Sequence, residues 1–305
     1  MRLTNVAHLR LPFGRLWGYD VSVSDLGRQL PVSFDQRMHV GAGERPGSWM
    51  ALSIQLPAGV GRESLADAWL AVIARHGTLR TAFTPGMAGE PQLHEIEVRL
   101  GTWIEHDIAA GQEVNDALRV VLNERCSPYR RPSHRLCVLE TAAGSTVIIA
   151  ADHAHVDMWS MLVIVRDLLS MLVDGRTGRL SSLQRPPAFV AHTQALLDRP
   201  PAPERVRARW AQIISDSGGV MPRFPLPLGA GGPHPERVEV RDVFDVDDGA
   251  AFGTQARSDG VSTLALAVVA MTEVTRELAG APLRAVFPVH SRYEEKWHDS
   301  VGWFI

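Results

Sequence analysis

The chain is poor in several residue types that chemistry often depends on. Lys296 is the only lysine among 31 basic residues, so almost all positive charge is arginine, and no mid-chain lysine is present for metal-bridging chemistry. Two cysteines, Cys126 and Cys137, make neither a disulfide framework nor a zinc spacing and read as ordinary thiols of a reducing cytoplasm. Charge of one sign is also missing. A net charge of -3 with a pI near 6.5 leaves no basic footprint for nucleic acid and no polybasic membrane patch. No apolar run approaches the roughly 18 residues of a membrane span, and Met1 to Val6 lacks the continuous apolar core of a signal peptide. These readings point to a cytoplasmic protein with no transmembrane segment. What is abundant is apolar: 45% hydrophobic residues over 305 positions can bury one large core or two smaller ones.

Alternation of Leu52, Ile54 and Leu56 predicts a half-buried strand over Trp49 to Leu56. Ser64-Leu65-Ala66-Asp67 resembles a capping box opening a helix with Leu65, Trp69, Val72 and Ile73 on one stripe, closed near Gly77. Another helix is expected over Glu113 to Glu124. A hairpin follows, from Arg135–Leu139 and Thr146–Ala151 about the Ala142-Ala143-Gly144 turn. The next helix is expected over Trp159 to Leu172. Prolines then punctuate short helices over Phe189 to Leu197 and Arg205 to Ile214. The remainder reads as a strand near Val238 to Val246, helices over Asp248 to Ser258 and Thr263 to Leu278, and a strand over Arg284 to Val289. The apolar ending Val301-Gly302-Trp303-Phe304-Ile305 resembles the start of a buried strand that has been cut, since natural termini are usually polar. This gives residues 1–180 as a first lobe, 181–235 as a Pro-rich helical connection and 236–305 as a partial second lobe, in an α/β pattern with antiparallel pairing.

The segment that carries chemistry is Asp152-His153-Ala154-His155-Val156-Asp157, placed just after the apolar run Val147 to Ala150. If the strand continued through it, His153, His155 and Asp157 would face one way. Such a set fits a hydrogen-bonded polar rim, a metal site, or a general base working near neutral pH. His-x-His after a strand is found in metal-dependent hydrolases on (β/α) barrels. Here the motif lies mid-chain and the element order is not a regular (β/α) repeat.

The same segment resembles the His-x-x-x-Asp core of the condensation and chloramphenicol acetyltransferase-like acyltransferase superfamily. Four other stretches are similar to family segments and occur in the family's order over nearly the whole chain. They are Val32-Ser33-Phe34-Asp35-Gln36-Arg37, Arg75-His76-Gly77-Thr78-Leu79-Arg80-Thr81-Ala82-Phe83, Phe287-Pro288-Val289-His290-Ser291-Arg292, and Gly302-Trp303-Phe304. Phe224 to Gly229 and the His-x-His-x-Asp variant are most similar to the polyketide-associated acyltransferases. The resemblance implies a two-lobe chloramphenicol acetyltransferase-like (condensation-domain) fold with an incomplete second lobe. It implies an enzyme that moves an acyl group from an acyl carrier protein or acyl-CoA thioester to a hydroxyl-bearing small molecule, without metal or redox cofactor.

In that scheme His153 is the catalytic base. Asp157 and Arg292 pair across the lobes to hold the site, and Asp152, His155, Met158, Trp159, Ser160, Trp303 and Phe304 line it. The helix beginning near Trp159 would aim its N-terminus at the site. No covalent acyl-enzyme is expected. Amide formation in the manner of a peptide condensation enzyme would use the same residues, and a non-catalytic binding relative is the third reading. Arg75, His76 and Arg80 lie at a helix end, where cations stabilise the helix dipole without further function. The chain departs from the family pattern at Asp152, which stands where the motif has its first histidine and leaves the catalytic position untouched, and at Met158, which stands where it has a glycine and adds bulk that bears on activity.

Overall fold

The computed structural model describes residues 11–87, 89–177, 183–227, 229 and 241–305. They fall into two compact units. The larger holds the described residues of 6–199 together with 289–305, and the smaller those of 200–288. The division thus falls at 199/200 and 288/289, whereas the sequence reading placed it at 180/181 and 235/236.

The larger unit is built on a five-stranded antiparallel sheet in the order β3-β8-β7-β1-β6. Its strands are β1 (Arg15–Val23), β3 (Trp49–Gln55), β6 (Val98–His106), β7 (His134–Thr141) and β8 (Gly144–Asp152). A small sheet, β2-β5-β4, is formed by Gln29–Leu30, Pro91–Glu95 and Thr81–Pro85. Helices α2 (Arg62–Arg75) and α4 (Met158–Thr177) cover one face of the large sheet, packing Trp69, Val72, Ile73, Ile164 and Leu168 against Leu136, Val138, Val147 and Ile149. Helix α3 (Val114–Arg125) covers the other face with Leu118, Val121 and Leu122 against Leu16, Leu139, Ile148 and Ala150. Strands β7 and β8 are therefore buried on both faces, which is why they read as continuous apolar runs. Helices α1 (Phe34–Gly41) and α5 (Phe189–Leu197) complete the unit.

Several expected elements form at other bounds, for local reasons. Helix α2 starts at Arg62, with Gly61 as its N-cap and no side-chain cap bond, so Ser64 does not cap it. The capping box is instead at α1, where Ser33 accepts from the Gln36 N–H and the Gln36 side chain accepts from the Ser33 N–H, both at 3.1 Å. Helix α4 runs from Met158 to Thr177, past the expected end at Leu172.

The smaller unit contributes α6 (Glu204–Asp216), α7 (Val246–Ser258) and α8 (Thr263–Ala279). Residues 238–240 of the strand expected near Val238 to Val246 lie outside the described residues. Residues 241–245 are not strand, and Asp245 caps α7 through the Asp248 N–H at 2.8 Å. Arg284 to Val289 is likewise not a strand, because no partner among the described residues pairs with it. Phe224 to Pro227 lies in neither helix nor strand, and Leu228 lies outside the described residues.

Asp167 of α4 knits α2 to α4. It accepts from Arg75 at 2.7 Å and His76 at 2.8 Å on one oxygen, and from Arg166 on the other. Burial pushes its carboxyl up, but these donors outweigh burial and hold it at about 2. Arg75 and His76 are therefore braces of the helix pair.

Burial also depresses five histidines, His76, His106, His134, His155 and His192, and takes His134 down to about 4. An unfolded His134 binds its proton near 6.5 and the folded one only near 4, so its contribution to stability is complete above 6.5 and shrinks as pH falls toward 4. Full protonation costs about 3 kcal/mol at this one site. His134 Nε2 bonds the Leu79 carbonyl at 2.9 Å, and His134→Gln can keep that donor without titrating. Urea midpoints followed from pH 7 to 4 should fall less in His134→Gln than in the parent. Parallel curves would show that His134 does not carry this share.

Candidate active site

Strand β8 ends at Asp152 because the Asp152 carboxylate turns back on the chain and accepts the Ala154 N–H at 2.9 Å. Its other oxygen accepts from Ser48 Oγ at 2.8 Å, while the Asp152 and His153 N–H groups donate to the Ser133 and Ser48 carbonyls, both at 2.8 Å. The Gln36 side-chain amide donates to the Ala154 carbonyl at 2.8 Å. The Ser-x-x-Gln segment thus does two jobs, capping α1 and pinning the turn that presents His153. The alternation expected through Asp157 does not occur, and the three side chains take three environments.

His153 is half-buried. Its Nδ1 lies 2.9 Å from the Val156 carbonyl, which can only accept. The proton of the neutral ring is therefore on Nδ1, and Nε2 carries the free lone pair. Trp303 backs the ring, with centroids 4.5 Å apart and planes tilted by 33°. A second imidazole, His39 on α1, lies 6.0 Å from His153 and meets Trp303 edge-on at 5.3 Å. Its Nε2 is 3.6 Å from Asp152 Oδ1, so the acid at the first motif position faces a histidine delivered by another element. Sequence reading missed His39 and Ser48. The only available signal was that His39 lies one helical turn beyond Gln36.

His155 turns into the core, edge-on to Phe83 at 5.3 Å, where burial lowers its proton affinity. It lies beneath the site and does not line it. Trp159 is on the outer side of α4, where its Nε1 donates to the His298 carbonyl at 2.9 Å. Met158 is the half-buried first residue of that helix.

Asp157 caps α4. Its Oδ1 accepts the Ser160 N–H at 2.7 Å and its Oδ2 the Phe304 N–H at 3.1 Å. Arg292, fully buried, donates through Nη2 to both Asp157 oxygens at 2.9 and 3.1 Å and to Ser160 Oγ at 2.8 Å. Through Nη1 it reaches the carbonyls of Trp297 and Ser300 at 3.0 and 2.6 Å, and its guanidinium lies 3.7 Å over the Phe304 ring. Burial pulls Arg292 below the usual arginine range, while the Asp157 charge pushes back. The resemblance placed this pair across two lobes. It lies instead within the larger unit, tying α4 to the segment 289–305.

Gly302 completes the knot. Ser160 Oγ donates to its carbonyl at 2.7 Å and accepts its N–H at 3.0 Å, and Phe189 lies where a Cβ would stand. The segment Val301 to Phe304 is thus packed non-strand backbone beside Trp303. Gly302→Ala should displace Phe189 or the backbone and lower the melting temperature, whereas Val173→Ala, on the exposed side of α4, should leave it nearly unchanged. Calorimetry of both variants reads the difference.

The family model described as "Condensation domain" matches residues 30–305. A stretch of 113 residues, 35% of the chain, is 34% identical to "Nonribosomal peptide synthetase 4" of Gibberella zeae and covers 1% of that protein. Over 297 residues, 90% of the chain, it is 27% identical to the "Probable non-canonical nonribosomal peptide synthetase (NRPS) CymA" of Salinispora arenicola, covering 4% of it. The chain therefore spans a small part of these curated relatives. Among solved structures it is similar to "PapA2 acyl transferase", with a TM-score of 0.82 and 20% identity over 99% of this chain and 70% of that one. The two-lobe chloramphenicol acetyltransferase-like fold follows from that match, and with nine-tenths of its length inside the family model the chain belongs to the condensation-domain family.

Proposed function

We propose that this chain is an acyltransferase that moves an acyl group from a carrier-protein or coenzyme A thioester to a hydroxyl group, forming an ester in natural-product or lipid biosynthesis in the cytoplasm. The observation that supports it best is the hydrogen bond from His153 Nδ1–H to Val156, which fixes the tautomer and leaves Nε2 basic. In the reaction Nε2 accepts the proton of the acceptor hydroxyl as its oxygen attacks the thioester carbonyl. The tetrahedral intermediate collapses with cleavage of the C–S bond, and the imidazolium returns the proton to the departing thiolate. Every proton is accounted for without a metal, a redox cofactor or an acyl-enzyme. Asp157 and Arg292 keep α4 and Trp303 in place around the ring and do not touch the reacting atoms.

The nonribosomal peptide synthetase relatives favour a second reading, in which the same base serves an amine acceptor and the product is an amide. Neither reading needs different residues around His153, because the acceptor's pocket sets the choice. The test is turnover of acyl-pantetheine and acyl-CoA donors of several chain lengths, with matched alcohol and amine acceptors. Ester product that exceeds amide supports the proposal. Amide alone would move the chain to the second reading, and no product with any donor would leave a binding relative.

A further inference from the structure

Strands β1 and β7 pair from Arg15 to Tyr19 against Glu140 to Leu136 and then part. A cavity of about 330 Å³ opens there, and four arginines line it: Arg125 at the end of α3, Arg130 and Arg131 in the loop before β7, and Arg135 on β7. Among its lining residues the only carboxylate is Asp20. Both Asp20 oxygens are committed, one to Arg135 Nη1 at 2.6 Å and the other to Arg125 Nη1 at 3.5 Å. Arg125 also leans toward Glu124 at 3.6 Å, outside the cavity. Arg135 is 3% exposed, and its Nε and Nη2 have no hydrogen-bond partner. Gly18 makes room for it: a Cβ there would stand 2.8 Å from Arg135 Nη2.

A solvated ion-pair surface matches charges roughly one to one. Here four guanidinium groups face one carboxylate around a concavity, in a chain whose net charge is negative. The loop is also ordered in advance, since Ser133 Oγ bonds the Pro128 and Arg130 carbonyls at 3.1 and 2.8 Å. We propose that this cavity is a binding site for the phosphate groups of a small molecule. A phosphate monoester or diphosphate brings the multiple negative charge that cancels the excess. Its oxygens suit guanidinium forks, and Arg130 and Arg131, both exposed, are free to close on it from the rim. The proposal stands apart from the acyl-transfer reading, because it concerns binding at a different set of residues.

Calorimetric titration of the purified chain with pyrophosphate, inorganic phosphate and 3′,5′-ADP tests it. The expected result is saturable one-to-one binding of pyrophosphate that weakens with added salt and falls at least about tenfold in Arg130→Ala/Arg131→Ala, which loses two charge-assisted contacts. Both residues are exposed, so the variant should keep the parent's circular dichroism. Arg99→Ala, an exposed arginine outside this cavity, should bind as the parent does. Tighter binding of 3′,5′-ADP than of pyrophosphate points to a nucleotide-bearing ligand, and equal binding to the phosphate groups alone. No saturable heat with any of the three probes, or an unchanged affinity in the double variant, overturns the proposal.

Discussion

His153→Ala is expected to lower the rate of acyl transfer by about 10²–10⁴-fold, the usual share of a positioned acid–base group, while the variant melts close to the parent. Both halves follow from the geometry. The ring is half-buried, and its one hydrogen bond is to a backbone carbonyl at a turn. That turn is held by Asp152, Ser48, Ser133 and Gln36, none of which needs the imidazole. His153→Gln can keep the bond to Val156 but offers no basic nitrogen, so it should be as inactive as the alanine variant. Full turnover in either variant would remove the general base from the mechanism.

Asp157→Ala is expected to cost about 3–5 kcal/mol, because it strands a buried guanidinium. For a unit of this size that is a drop of roughly 6–20 °C in melting temperature. Asp157 also caps α4 and receives the Phe304 N–H, so the loss spreads to the segment carrying Trp303 and activity falls with stability. Arg292→Lys should rescue poorly. An ammonium cannot match the planar fork that reaches the carboxylate, Ser160 Oγ and two carbonyls at once. The losses in Asp157→Ala and Arg292→Ala should not add in the double alanine variant, since removing both partners leaves no unpaired buried charge. Thermal melts of the four proteins complete the cycle. Additive effects would mean that the pair is not coupled.

Helices α2 to α8 and the β7–β8 hairpin were legible because the 3.6-residue stripe and the doubly buried run are local signals; α1 was not. Strand β1 was not. Gly18 in its middle argues against a strand by propensity, and its reason lies on other strands, where Arg135 and His106 occupy the space a Cβ would take. The residues of the His-x-x-x-Asp segment were legible, but their directions were not. Whether His155 lines the site or fills the core depends on the turn that Asp152 makes with Ala154, and alternation predicts the opposite. Arg292 was found by resemblance alone. Its pairing with Asp157 and Ser160 spans more than 130 residues of sequence. His39 was missed because its place one turn beyond Gln36 is a weak signal, and only the fold sets it against Trp303 and Asp152.

In the proposed mechanism acyl transfer is direct, with His153 as the base. Its most direct test is mass spectrometry of enzyme and acceptor together during a single turnover of an acyl thioester with an alcohol, for the parent and for His153→Ala. The prediction is acylated acceptor with the parent, an enzyme mass that never gains the acyl group, and no acylated acceptor above the enzyme-free background with the variant. An acyl adduct on the protein that decays as product forms, or ester from His153→Ala at the parent's rate, would contradict it.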